Sequence, residues 1–230
     1  MVAVTGIGCS SWIPSPYFRV DTLHTTHGRA IAFATGVKVA RPDLNVVVIA
    51  GDGDLAGIGG NHLIHAARRN VGLTVLLVNN SIYGMTGGQV APTTPSGLRT
   101  ATTPYGNPEP PMRITEMLTA AGADFTARWT TYHVNQLIKA IKTALGREGF
   151  SFVEIMSQCT TSFGKFSGER QASTTLKRFR DTAVRIEKTA DMTDEELEDK
   201  IVIGTFQDKA RPEFARTLEE LAEARMAEEP

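Results

Sequence analysis

The chain has only two cysteines, Cys9 and Cys159, in 230 residues. So few thiols make no disulfide framework, and on composition alone they read as buried core residues. Charge of one sign is missing as well. Lys and Arg total 24 against 25 Asp and Glu, for a net charge of -1 and a pI of about 6.5. That balance lacks the basic face of a nucleic-acid-binding protein. Long apolar runs are absent: the best, at 46–50 and 73–78, are far too short to cross a bilayer. The opening MVAVTGIGCSSW shows no basic stretch followed by an apolar one, so no secretory signal is visible. The expectation is a cytoplasmic protein with no nucleic-acid or membrane partner. No G-x-G-x-x-G follows a strand, which disfavours a nicotinamide-binding Rossmann enzyme.

What the chain does have is alternation. Residues 2–4 read as a strand that the chain enters with no preceding element, which points to a missing N-terminal piece, truncated or supplied by another chain. Residues 30–40 are Ala-rich and helical, and Arg41-Pro42-Asp43 breaks them. Residues 45–49 form a short β-branched run, the pattern of a strand buried on both faces. Residues 58–70 read as one helix and 73–78 as a second buried strand. Helices at 114–121 and 134–145 flank a strand at 124–129, and 150–156 is the last core strand. Strands and helices in alternation predict an α/β fold, a parallel sheet with helices on both faces. After Cys159 the composition turns charged. Thr193 to Glu196 has capping-box spacing, 201–206 is extended, and 212–226 is a charged helix with Pro212 at its first position. The expected division is a ligand-binding module over 1–160 and, over 161–230, an arm that packs on a partner.

Two short motifs carry the chemistry. GDGD at 51–54 ends one buried strand, and NNSIYG at 79–84 ends the next. Ligands of open parallel sheets sit beyond the carboxyl ends of the strands. Asp52 and Asn80 are 28 positions apart, the length of one loop, one helix and one strand. Asp52 offers a carboxylate, Asn80 an amide oxygen and Ile82 a backbone carbonyl. These hard oxygens suit Mg2+ that also takes phosphate oxygens. Gly51 and Gly53 let the backbone approach a diphosphate, and the next helix offers free N–H groups. GDG followed by NN at this spacing, each after an apolar strand, is the signature of thiamine diphosphate binding. Either half alone would read as a connecting turn.

Longer stretches resemble a family. GIGCSSW at 6–12, HTTHGRAIAFATGVK at 24–38, GDGDLAGIGGNHLIHAARRN at 51–70 and NNSIYGMTGGQVAPTTP at 79–95 are similar to the β subunits of 2-oxoacid:ferredoxin oxidoreductases, most of all the 2-oxoglutarate branch. The resemblance covers residues 1–160; the tail matches in character only. It implies that Asp52, Asn80 and the Ile82 carbonyl hold Mg2+. Ile7, Gly8, Cys9, Ser10, His27, Gly53, Asp54, Gly84 and Met85 would line the thiamine diphosphate. It implies oxidative decarboxylation of a 2-oxoacid to an acyl-CoA, with coenzyme A as co-substrate and electrons passed to ferredoxin. It also implies a [4Fe-4S] cluster on a CxxC pair near the N-terminus and two further cysteines, which Cys9 and Cys159 match. The CxxC pair is absent here, so a cluster would need an upstream segment. No catalytic residue is assigned to this chain: the Glu that activates the aminopyrimidine is expected on an α subunit with the pyrimidine-binding module. Two other readings stay open, a non-redox two-chain thiamine-dependent decarboxylase or synthase and a non-catalytic assembly subunit.

His62 and His65 sit three apart on a helix face without a third ligand, so packing is the expected role. His133 is expected at the surface. Arg68 and Arg69 would either steer an anionic substrate or answer a helix dipole. Residues 89–103 are expected to shape the 2-oxoacid pocket with the partner.

Overall fold

A strand that is apolar on both faces needs a cover on each side. Val46–Gly51 (β3) and Leu73–Asn79 (β4) are such strands, with nearly every residue buried. The computed structural model describes residues 1–228 and supplies both covers. The chain opens with β1 (Val2–Thr5), a 3-10 turn at Cys9–Trp12 and the single-turn α1 (Pro14–Tyr17), and comes back as β2 (Asp21–His24). Helix α2 (Ala30–Ala40) crosses to β3, and α3 (Gly60–Arg69) to β4. Helix α4 (Ile114–Ala120) leads to β5 (Phe125–Thr130), and α5 (Val134–Leu145) to β6 (Ser151–Met156). Strands β2-β1-β3-β4-β6-β5 are parallel in that order.

The period of two along β3 divides the core. Val46, Val48 and Ala50 pack with Ala30, Ile31 and Ala34 of α2 and with Leu63, Ala66 and Ala67 of α3. Val47 and Ile49 face the other way, into a cluster with Leu76, Trp129, Ala140 and Ala144. Burying one such aliphatic side chain is worth about 1.5–3 kcal/mol.

Two expectations change. The single helix over 58–70 is instead a π-helical turn at Gly53–Ile58 followed by α3. The glycines are the reason. Gly57 leaves helical geometry (φ -73, ψ -109), and the Gly59 amide reaches five residues back to the Asp54 carbonyl at 3.1 Å. A methyl group on Gly59 would lie 2.5 Å from that carbonyl oxygen, which no side chain tolerates. The sheet is also not wholly parallel. Beyond α6 (Ser162–Ser167) and α7 (Ala172–Thr182), β7 (Ala183–Arg185) pairs with β8 (Ile201–Asp208), and β8 lies antiparallel against β5. Residues after 160 therefore add two strands to the same sheet.

The capping box opens α8 (Asp194–Leu197) as expected, with Thr193 and Glu196 bonded reciprocally. Pro212 is not in the last helix, α9 (Phe214–Glu228). Glu213 caps it instead: its carboxylate accepts from the Arg216 amide at 2.9 Å and from the Gly72 amide at 2.7 Å. Nearby, Asn70 ends α3 in a left-handed conformation (φ 57). Its Oδ1 accepts from Phe150 N–H at 2.8 Å, and its Nδ2 reaches Asp124 Oδ2 and the carbonyls of Arg211 and Pro212. One buried amide thus ties α3, β6 and the chain after β8. No helix of the described residues is long and apolar enough to cross a membrane.

Candidate active site: a cleft at the strand ends

The chain leaves β1 for β2 on one side and then passes through α2 to β3 on the other. This reversal leaves a crevice beyond the carboxyl ends of the strands, where ligands of such sheets bind. A cleft of about 240 Å3 lies there. Ile7, Gly8, Cys9 and Ser10 reach it from the end of β1, and His27 from the segment after β2. Asp52, Gly53 and Asp54 come from the end of β3; Asn80, Ile82, Gly84 and Met85 from the end of β4. All of the residues singled out as magnesium or cofactor ligands meet in this one cleft.

Its electrostatics are unusual. Asp52 is 2% exposed, and burial pushes its carboxyl up to about 6, against the opposing pull of the Thr93 hydroxyl and of backbone amides. Thr93 Oγ1 donates a short hydrogen bond to Asp52 Oδ2. Its hydrogen-bond donors are all neutral. Asp54 is just as buried, and burial raises its carboxyl too, partly offset by the Gly28 amide and then by His27. Asp54 Oδ1 accepts from Gly28 N–H and lies 2.8 Å from His27 Nδ1. Asp54 Oδ2 is buried with no hydrogen-bond partner of standard geometry. Holding the ring through Nδ1 leaves His27 Nε2 for a ligand.

The buried Asp52 carboxylate shares the cleft with the Asn80 amide and the Ile82 backbone, a set of hard oxygen donors. The oxygen donors fit Mg2+. Room for a diphosphate is built in as well: nothing lies within 4 Å of where a Gly8 side chain would start. Cys159 borders the far side of the same turn. A methyl group on Gly84 would lie 3.4 Å from the Cys159 sulfur and 3.9 Å from that of Cys9. Two thiolates are half of what a [4Fe-4S] cluster takes, so this chain's residues do not by themselves fit one.

The two asparagines part company. Asn79 is buried and turned into the sheet, its Nδ2 on Glu154 Oε1 at 2.8 Å. Its Oδ1 accepts from Ser81 N–H at 3.0 Å. Asn80 faces the cleft, and its Oδ1 also accepts from Ile82 N–H at 3.3 Å.

Three contributors escaped the sequence reading. Tyr83 lies flat on the π-helical turn: its hydroxyl donates to the Gly53 carbonyl at 2.9 Å, and methyl groups on Gly53 or Gly57 would strike the ring or hydroxyl at 2.3 and 2.4 Å. The pairing of those glycines with a nearby aromatic was a signal. Thr93 left none. Gly6 is the third: a methyl there would lie 2.0 Å from Asp54 Oδ2, so this glycine lets the carboxylate tuck under β1. The remaining histidines do not converge. His24 bonds Ser15 and His133 bonds Thr130, while His62 and His65 lie along α3 outside the cleft. Arg68 and Arg69 close the last turn of α3, at the opposite end from the cleft.

Comparison with known proteins gives the family. The family profile described as thiamine pyrophosphate enzyme, C-terminal TPP binding domain, matches residues 6–155. The 2-oxoglutarate synthase subunit KorB of Methanocaldococcus jannaschii is 53% identical, over 96% of this chain and 82% of that protein. The subunit of the same name from Methanothermobacter marburgensis is 54% identical, over 92% and 74%. Among solved structures, a chain of the 2-oxoglutarate:ferredoxin oxidoreductase from Magnetococcus marinus, with 2-oxoglutarate, coenzyme A and succinyl-CoA bound, superposes with a TM-score of 0.84. It is 38% identical, and the match covers 98% of this chain and 77% of that one. The chain belongs to the β-subunit family of the 2-oxoacid:ferredoxin oxidoreductases, in its 2-oxoglutarate branch, and carries that family's thiamine-diphosphate-binding domain.

Proposed function

We propose that this chain is the β subunit of a cytoplasmic 2-oxoglutarate:ferredoxin oxidoreductase. The reaction would convert 2-oxoglutarate and coenzyme A to succinyl-CoA and carbon dioxide, with two electrons passed to ferredoxin. The observation that carries this reading is the buried carboxylate of Asp52 lining the same cleft as Asn80 and Ile82. Asp52, the Asn80 side-chain oxygen and the Ile82 carbonyl would hold Mg2+ against a diphosphate. Thiamine diphosphate, when bound, would supply a nucleophilic carbon and an electron sink for the decarboxylation. The protein's part is to bind and aim. Ile7, Gly8, Ser10, Gly53, Gly84 and Met85 would wall the cofactor, and Asp54 would fix the His27 ring with Nε2 toward the diphosphate.

The activating carboxylate would come from an α subunit. Apolar side chains at the cleft support a shared site: Ile7 and Met85 line it and are about half exposed, and Trp12 just beyond is 65% exposed. Such a surface is normally covered by a partner. Cys9 and Cys159 would be two ligands of a cluster completed by residues from outside these 230.

The test is reconstitution. Co-purified with its α subunit, the chain should support 2-oxoglutarate- and coenzyme A-dependent reduction of ferredoxin or a viologen dye. Alone, with cofactor and Mg2+, it should be inactive. Robust reduction by the single chain would overturn the half-site reading.

A finer test separates the two asparagines. Removing a group that supports a metal ligand costs roughly 10–100-fold in metal affinity, and the ligand itself should cost no less. Asn80→Ala should lie at the upper end of that range and Asn79→Ala at the lower, by calorimetric titration of the assembled complex. A reversed order would mean the turn presents the other asparagine to the metal.

A further inference from the structure

Glu154 is a buried carboxylate that nothing in the proposed chemistry uses. It stands in the middle of β6, 2% exposed, where neighbouring residues are apolar. Both of its oxygens are engaged. Oε1 accepts from Asn79 Nδ2 at 2.8 Å. Oε2 accepts from Thr115 Oγ1 at 2.5 Å and from Arg128 Nε at 2.8 Å. Arg128 is in turn clamped by Glu116, at 2.5 and 3.0 Å, and by the Val202 carbonyl.

An ionised carboxylate only accepts hydrogen bonds. It therefore dictates which way the Asn79 amide points: nitrogen toward Glu154, oxygen toward the turn. That oxygen receives the N–H of Ser81, and the Ser81 hydroxyl lies 3.3 Å from it. Ser81 is held at φ 61, a left-handed conformation unfavourable for a residue with a side chain. Thr94 secures the other side, its Oγ1 donating to the Ser81 carbonyl at 2.7 Å. Asn80 and Ile82 flank Ser81, so the conformation of Ser81 sets where the Asn80 side chain and the Ile82 carbonyl lie.

We infer that Glu154 is a positioning residue which, through the direction it imposes on the Asn79 amide, holds the Asn80–Ile82 turn in its cation-binding form. The inference rests on the proposed Mg2+ role of Asn80 and Ile82. Its chemistry is a matter of donor and acceptor sense, and that makes it separable from simple packing. In Glu154→Gln, one arm of the side chain becomes a donor. Arg128 Nε and Thr115 Oγ1 are both donors, so the new amide turns its oxygen to them and its nitrogen to Asn79. The Asn79 amide must then reverse, setting its own NH2 against the Ser81 N–H. Removing the Arg128 guanidinium relieves this choice, and the Gln oxygen can again accept from Asn79.

The experiment measures Mg2+ affinity at saturating thiamine diphosphate, by calorimetry of the complex with its α subunit, with thermal unfolding alongside. Glu154→Gln should raise the Mg2+ dissociation constant at least about tenfold. The double variant Arg128→Met/Glu154→Gln should bring it back to within about threefold of the parent. Wild-type affinity in the single variant overturns the inference. So does a double variant as weak as the single one, since that pattern is what lost packing would give. Parallel titration of Asp52→Ala keeps the two ideas apart: if that variant binds Mg2+ normally, the metal assignment itself fails and the Glu154 result is read as structural.

Discussion

Asp52→Ala is expected to weaken Mg2+-dependent thiamine diphosphate binding by on the order of 100-fold or more, with 2-oxoglutarate turnover lost in step. The carboxylate is the only charged group among the three proposed metal ligands, and hard dications depend on such charge. It is also costly to the fold: buried, with neutral donors only, its carboxyl sits well above the ordinary carboxylate range. Removing it should therefore leave the fold intact while binding collapses. Titration calorimetry of the assembled complex and thermal unfolding of the same sample separate the two effects. Binding within threefold of the parent would remove Asp52 from the metal site.

Arg128→Met should produce the largest loss of stability, about 3–5 kcal/mol at neutral pH, because it strands a buried carboxylate. Burial alone would raise the Glu154 carboxyl. The Arg128 charge, followed by hydrogen bonds from Thr115, Asn79 and Arg128, outweighs it and holds the group below its ordinary value. A depressed carboxylate stabilises the fold above its unfolded value and loses that contribution as pH falls through the folded one. Without Arg128 the sign reverses. Glu154 would then hold its proton more tightly folded than unfolded, so the variant's deficit should shrink as pH is lowered from 7 toward 5. Denaturant titrations at several pH values would show it. A deficit that does not change over that range would mean the pair is not the source of the loss.

These two residues also show what the sequence could and could not disclose. Asp52 was legible because a carboxylate between two glycines ended an apolar run, and Asn80 because a second run ended in amides. Each strand end is forced to the same edge by the parallel crossover, so the site followed from spacing. Glu154 and Arg128 are single charges inside FTARWT and SFVEIM, runs that otherwise read as buried strands. Opposite charges in two buried strands meet only if the strands pair in the right register, and only the β5–β6 ladder puts Arg128 directly opposite Glu154. Strand direction was hidden for a similar reason. Residues 201–208 carry an extended pattern that is the same whether the strand runs up or down, and only pairing with β5 fixes it. The π-helical turn was missed because glycines that permit a kink also permit a plain helix start. Thr93 meets Asp52 through a long excursion with no periodicity, leaving nothing to read in advance.

The position of β8 bears on how the chain is made. Its partner β5 ends at Thr130, yet the residues that cover its outer edge emerge from the ribosome only with 201–208. Asn70 likewise waits for Arg211 and Pro212 before its amide is satisfied. During synthesis, then, the first six strands can assemble while β5 presents an open row of N–H and C=O groups to whatever is near. Closing the sheet is a late, non-local step of the kind that slows folding and invites misassembly. Over that interval the nascent chain depends on low concentration, or on a chaperone, to keep the β5 edge from pairing with a stranger.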